Sequence, residues 1–167
     1  MDGIFIRQAL EKDVSSMTLI YNQAIEERVA TCDLTPKTIE NRLEWFRQFD
    51  FNFPIFVGEI DKKIVCYGCL YPISPKEGYR FSAESGVYVH KEFRGKGLGK
   101  KMLGHLLSTA KEKKIHFIQA RIFTFNEKSI NLHLSFGFNW IGVLKESANL
   151  DGQWADVAIL SYYPSKN

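Results

Sequence analysis

The sequence has no apolar run close to the roughly 20 residues needed to span a bilayer, and no internal repeat, low-complexity tract or linker-like segment. Its start, MDGIFIRQALEKD, lacks the basic stretch and apolar core of a secretion leader, so a cytoplasmic location is expected. Cysteine is scarce. There are three, an odd number, which argues against a disulfide framework. Cys66 and Cys69 form a C-x-x-C, which admits a redox or zinc reading. However, no second ligand pair follows, and IVCYGCLY reads as a strand, where a spacing of three turns the thiols to opposite faces. They are expected to act as small hydrophobic residues, with no metal. A large excess of one charge is also missing. A net charge of +3 is too small to argue for nucleic acid.

What is present fits a single domain over residues 1–167, with 45% hydrophobic and 25% charged residues. Residues 4–9 read as a first strand. Asp13 is placed to cap a helix whose Val14, Met17, Tyr21, Ala24 and Ile25 share one face. ERVATCDL reads as a loop. Thr35-Pro36 reads as a cap and first helical position, opening a second helix that carries Ile39, Leu43, Trp45 and Phe46. PIFVGEI and KIVCYGCLYPI form a hairpin around DKK, SPKEGYR is a loop, and FSAESGVYVH is a fourth strand. The next helix lines up Leu98, Met102, Leu103, Leu106, Leu107 and Ala110. HFIQARIF is a strand, Asn126 caps a helix that Gly137 ends, and NWIGVLKES and WADVAILSYY flank the turn NLDGQ. The order is strand, two helices, three strands, helix, strand, helix, two strands: a mixed α/β plan.

The most informative stretch is HKEFRGKGLGKKMLGHLL, residues 90–107. Lys91, Arg94, Lys96, Lys100 and Lys101 fall within eleven residues, opposed by Glu92 alone. A helix start has free N–H groups and a positive dipole end, and Gly95, Gly97 and Gly99 leave room for close approach. Together they predict a phosphate or pyrophosphate site. A nucleotide P-loop is excluded, because Gly99-Lys100 is followed by Lys101 and Arg94 stands where the first glycine belongs. A dinucleotide fingerprint is weak, because the glycines run G-x-G-x-G and QARIF supplies no acid.

RGKGLG, following ESGVYV and preceding a helix, resembles the R-x-x-G-x-G signature of the GNAT superfamily of N-acetyltransferases, and NEKSINLHLSFGF resembles its asparagine-led helix ending in Gly-Phe. These stretches, with ATCDLTPKTIENRLEWF and DGQWADVAIL, are similar to the phosphinothricin and methionine-sulfone branch over residues 4–162. The resemblance implies the acetyl-CoA N-acyltransferase fold: α/β (α+β), with four helices and a mixed, mostly antiparallel sheet of about seven strands, the count read above. It also implies acetyl-CoA as co-substrate and a homodimer. One departure is visible. Lys76 stands where that branch carries an arginine, three residues before Tyr79-Arg80.

Carried over residue by residue, the resemblance makes Glu84 the base that deprotonates the acceptor ammonium. A carboxylate partly withdrawn from water suits that work. Val87, Tyr88 and Val89 would bond the pantetheine arm through their main chain, as an added strand does. Arg94, Gly95, Lys96, Gly97, Leu98, Gly99 and Lys100 would cradle the pyrophosphate. Asn126 and Ser129 would reach the coenzyme, although Asn126 also reads as a plain helix cap. His133 stands where many relatives carry a tyrosine that serves the leaving sulfur, and it reads equally as a packed helix residue. Arg80 and Lys76 would hold the substrate carboxylate. Tyr79, Phe81 and Trp154 would wall the side-chain pocket, although such aromatics are more often core.

The function this implies is acetyl transfer to a small amino-acid-like amine. The alternatives are a protein or polyamine acetyltransferase and a non-catalytic acetyl-CoA sensor. Lys76 and Arg80 beside Glu77 lean toward an anionic substrate rather than a polycation. No membrane or nucleic-acid partner is expected.

Overall fold

The computed structural model describes residues 3–50 and 52–164, so the first two residues of MDGIFIRQALEKD and the last three of the chain lie outside it. The elements are β1 (Phe5–Gln8), α1 (Val14–Glu27), α2 (Ile39–Phe46), β2 (Ile55–Ile60), β3 (Lys63–Pro72), β4 (Ser82–Val89), α3 (Leu98–Glu112), β5 (Phe117–Phe123), α4 (Glu127–Ser135), β6 (Asn139–Leu150) and β7 (Gln153–Tyr162). Short 3-10 turns lie at Glu11–Asp13, Glu77–Tyr79 and Lys91–Phe93. This is the order expected from the sequence.

The seven strands form one sheet in the order β1-β2-β3-β4-β5-β7-β6. All pairs are antiparallel except β4 with β5. That parallel pair is short: Ser82 with Phe117, Ala83 with Ile118 and Glu84 with Gln119. On its other edge β4 pairs with β3 from Ala83 to Val89. Beyond Glu84, therefore, β4 and β5 separate.

The helices cover both faces. The apolar face of α1 packs with Leu43, Trp45 and Phe46 of α2 against Val57, Tyr67 and Cys69. The face of α3 is buried as its periodicity predicts, against β3 and β5. Cys66 packs in the α3 cluster and Cys69 in the α1 cluster, so the thiols do lie on opposite faces of β3. Burial pushes each thiol up to about 12, which keeps both protonated and inert.

Local competition corrects several expectations. Asp13 does not cap α1 with its side chain. Its carboxylate instead accepts from Leu10 N–H at 2.8 Å and from both terminal nitrogens of Arg7 at 2.6 and 3.0 Å. Thr35-Pro36 stays outside α2, because Thr38 takes the cap and accepts from Asn41 N–H at 3.2 Å. On α2, Ile39 is exposed and the fully buried residue is Arg42. The final turn shrinks from NLDGQ to Asp151-Gly152, both with positive φ, as a two-residue hairpin requires.

Asp13 is buried, and burial opposes its charge, yet the Arg7 and Leu10 hydrogen bonds hold its carboxyl below the usual range. A depressed folded pKa gives stability that is present above the unfolded value, about 4, and is lost as pH falls through the folded one. Asp13→Asn is expected to lower stability at pH 7 by about 1–3 kcal/mol and to flatten the acid limb below pH ~4. Urea titrations of both proteins between pH 2 and 7 check this; parallel acid limbs would refute it.

Candidate active site

Glu84 is the last residue of the parallel pairing, and it is buried, 5% exposed. The register places Tyr71 opposite it on β3 and Gln119 opposite it on β5. Tyr71 Oη donates to Oε1 at 2.7 Å, and Gln119 Nε2 donates to Oε2 at 2.7 Å. Arg121 Nε, two residues along β5, pairs with Oε2 at 2.9 Å. Burial, with the Glu84 charge adding, pushes the Tyr71 hydroxyl well above the usual phenol range, so it remains a donor. The sequence did not point to these three partners. The only signal is strand register, which local patterns do not contain.

A cleft of about 370 Å³ lies between α1, α2 and the sheet, with Tyr71, the partner of Glu84, in its wall. Tyr21, Arg42, Trp45, Tyr67, Tyr71 and Tyr88 line it. Tyr88 stacks on Tyr67 at 4.9 Å between ring centroids and meets Tyr21 edge-on at 5.2 Å. The aromatics expected to wall a substrate pocket lie elsewhere. Tyr79 and Phe81 are exposed around the 3-10 turn before β4, and Trp154 lines a separate open cleft at the β6–β7 turn. Lys76 and Arg80 are also exposed on that 3-10 turn. Neither pairs with a carboxylate among the described residues; the Arg80 guanidinium lies 4.7 Å from the centre of the Phe81 ring.

The glycine turn has the shape an anion needs. Gly95 and Gly97 have φ of 77° and 76°, and a Cβ on either would meet open space. Gly97 is the cap residue of α3 and has no side chain to occupy the helix start. The first helical bond runs from Lys101 N–H to Gly97 O, leaving the N–H groups of Leu98, Gly99 and Lys100 ahead of the ladder. The Leu98 side chain is core, so only its main chain faces the turn. Arg94 is held by Glu27 at 2.5 Å and donates to Val89 O at 3.0 Å. Lys96 Nζ donates to Glu92 O at 3.3 Å, and Lys100 is exposed. These open, uncapped main-chain donors fit a pyrophosphate.

His90 N–H bonds Val65 O on β3. Strand alternation then turns the main chain of Val89 and Val87 to the other edge, toward the gap left by β5. Asn126 caps α4, accepting from Ser129 N–H at 3.2 Å, and its amide also donates to Val29 O at 2.9 Å. His133 is buried, and its Nδ1 lies 2.8 Å from Ser129 O. A carbonyl only accepts, so Nδ1 carries the proton and Nε2 the lone pair. Burial holds the His133 pKa below its usual value, so the ring is neutral near pH 7 and has no proton on Nε2 for a leaving sulfur. This geometry favours the packed-residue reading, with Phe138 edge-on at 4.9 Å.

Comparison with known proteins agrees with this geometry. Residues 18–138 match the acetyltransferase (GNAT) family. The L-methionine sulfoximine/L-methionine sulfone acetyltransferase of Salmonella typhimurium is 32% identical over 93% of this chain and 91% of its own. The crystal structure of a GNAT superfamily phosphinothricin acetyltransferase from Sinorhizobium meliloti in complex with AcCoA superposes with a TM-score of 0.92, at 28% identity, over 96% of this chain and 88% of that one. That of ribosomal-protein-alanine N-acetyltransferase from Brucella melitensis superposes with a TM-score of 0.92, at 36% identity, over 95% and 99%. The chain belongs to the GNAT acetyltransferase family and is an acetyl-CoA-dependent N-acetyltransferase.

Gly97→Ala places a Cβ at a left-handed position and is expected to cost about 1 kcal/mol of stability. Because it distorts the first-turn donors, it should also weaken acetyl-CoA binding about tenfold. Thermal unfolding and calorimetric titration check the two effects; unchanged affinity would remove the turn from the coenzyme site.

Proposed function

We propose that the protein acetylates the α-amine of a small amino acid with a polar, oxygen-bearing side chain, of the methionine sulfone, methionine sulfoximine or phosphinothricin type. The observation that carries this is the buried Glu84 carboxylate at the end of the β4–β5 pairing, next to a cleft of amino-acid size. The names of the relatives point the same way.

Acetyl-CoA supplies the acetyl thioester. Gly95, Gly97 and the N–H groups of Leu98, Gly99 and Lys100 hold its pyrophosphate, with Lys96 and Lys100 adding charge and Arg94 bracing the loop. The main chain of Val87 and Val89 bonds the pantetheine arm and offers an N–H to the carbonyl oxygen, whereas Tyr88, expected from the resemblance to share this task, turns its main chain to Tyr67 on β3. Asn126 and Ser129 border the same gap. Glu84, fixed by Tyr71, Gln119 and Arg121, takes the proton from the ammonium of the acceptor, and the freed lone pair attacks the thioester carbon. The tetrahedral intermediate collapses by breaking the C–S bond, and the departing coenzyme thiolate takes the proton shed by the new amide nitrogen. Arg80 and Lys76, with Tyr79, meet the α-carboxylate as it enters. His133 supports this arrangement by packing α4.

Residues 1–167 act as one cytoplasmic domain on this reading; among the described residues no helix is long and apolar enough to cross a membrane. The outer strands carry exposed Trp140, Ile141, Leu144 and Trp154, and β6 is a sheet edge. A second copy covering that surface makes a homodimer. Sedimentation equilibrium is expected to give twice the chain mass, and a monomer at micromolar concentration would remove the dimer.

Transfer to a peptide amine is the second reading, favoured by the likeness to the ribosomal-protein-alanine N-acetyltransferase of Brucella melitensis. A thiol-release assay with amino acids, spermidine and an alanine-led peptide separates the two. Turnover confined to amino acids is expected; turnover only of the peptide or the polyamine would discard the proposal. Glu84→Gln should lower kcat about 10²–10⁴-fold with acetyl-CoA affinity unchanged, and near-normal turnover would end its role as base.

A further inference from the structure

Arg42 is unusual for an arginine. It is 5% exposed, and among the described residues it has no carboxylate partner. Its guanidinium lies 3.5 Å from the centre of the Trp45 ring and 4.4 Å from that of Tyr21. Among the described residues its guanidinium makes one hydrogen bond, to Tyr67 Oη, long at 3.4 Å, and its Nε is buried with no partner. A guanidinium carries five donors that cannot be switched off by losing a proton, and burying them unmet is costly. The aromatic faces offset part of that cost and fix the group's position, but they accept few of its N–H groups.

Arg42 lines the same cleft as Tyr71, the partner of Glu84, so its guanidinium is reached from that cleft. Tyr71 grips Glu84 at one end, and Tyr67 touches Arg42 at the other. Tyr67 and Tyr71 share a face of β3, four residues or about 13 Å apart along the strand. Both tyrosines, Arg42, Trp45, Tyr21 and Tyr88 line that cleft. An α-carboxylate is one carbon from the reacting amine and therefore stays near Glu84. Only the tip of the acceptor's side chain extends toward the guanidinium.

We propose that Arg42 binds the oxygen-bearing tip of the acceptor's side chain, a sulfone, sulfoximine or phosphinate, and so selects such amino acids over their thioether or hydrocarbon counterparts. This rests on the amino-acid reading above and adds the determinant of side-chain choice. A tetrahedral group presenting two oxygens matches the guanidinium fork, and the aromatic walls take the methylenes. A thioether would leave the buried donors unmet, and a site built to hydrogen-bond an oxygen strongly rejects an analogue that lacks it.

The test compares methionine sulfone with methionine in wild type, Arg42→Gln and Arg42→Lys. Wild type is expected to favour the sulfone by about 100-fold in kcat/KM. Arg42→Gln should bring the sulfone down to the methionine value while methionine changes less than about threefold and acetyl-CoA affinity holds. Arg42→Lys, which keeps the charge but not the fork, should fall between. Equal use of methionine and its sulfone by wild type overturns the proposal without any variant, even if Arg42→Gln fails to fold. An equal loss on both substrates in a folded variant also overturns it, because a purely structural arginine predicts that result. If wild type acetylates no amino acid but does acetylate a peptide or polyamine, the amino-acid reading itself fails, and this inference fails with it.

Discussion

The structure depends on where β4 stops pairing with β5. Only three residue pairs join these strands, and Glu84 is the last. Past that point β4 has a partner on one edge alone, which leaves main-chain groups facing a gap. Buried unpaired main chain is costly, so such an edge persists where something else completes it. The same register also makes a buried carboxylate tolerable. Tyr71 and Gln119 stand opposite Glu84 because the pairing reaches that far, and Arg121 follows on the same face of β5. Had the strands parted one residue earlier, Gln119 would no longer lie opposite Glu84. The gap beside β4 and the fixed Glu84 carboxylate are two results of one register.

Alternation along β4 then separates the tasks. Tyr88 joins the cluster beneath α1 and α2, on the face that carries Glu84, while Ala83, Val87 and Val89 join the clusters under α3. The Glu84 carboxylate and the tyrosine cleft occupy one face, the α3 core anchors the other, and the free edge lies between them. One strand thus presents three directions.

Features set by local periodicity were legible in the sequence. The buried faces of α1 and α3 follow from spacing, and the glycine turn follows from residues that lack side chains where a helix begins. Glu84 was reached through a motif resemblance. Its partners were not, because Tyr71, Gln119 and Arg121 meet it only through strand register. Arg42 was hidden for a related reason. In IENRLEWF an arginine reads as the solvent side of an amphipathic helix, yet the rings of Tyr21 and Trp45 flank its guanidinium inside the fold. The caps failed differently. Asp13 and Thr35 are each a good cap residue, but Arg7 and Leu10 claim the first and Thr38 displaces the second. Nearby competitors decide such cases, and residue type alone does not rank them.

The end of α1 shows how the two halves of the site are kept in register. Gln23 accepts from Lys91 N–H at 3.0 Å, and Glu27 holds Arg94 at 2.5 Å, so α1 grips both ends of the segment leading into the glycine turn. Arg28, at positive φ where the helix stops, pairs with Asp151 of the β6–β7 turn at 2.7 Å. Val29 O accepts from Asn126 at the start of α4 at 2.9 Å. Within seven residues, Gln23 to Val29, the end of α1 and the two residues after it reach the glycine turn, the start of α4 and the outer hairpin. Each exposed ion pair contributes little alone, about 0–1 kcal/mol. Their value lies in geometry, because they meet at one end of a helix whose inner face is core. Arg94 therefore braces the turn, with its guanidinium spent on Glu27 and Val89 O, and Gly97 leaves the first N–H groups of α3 uncapped.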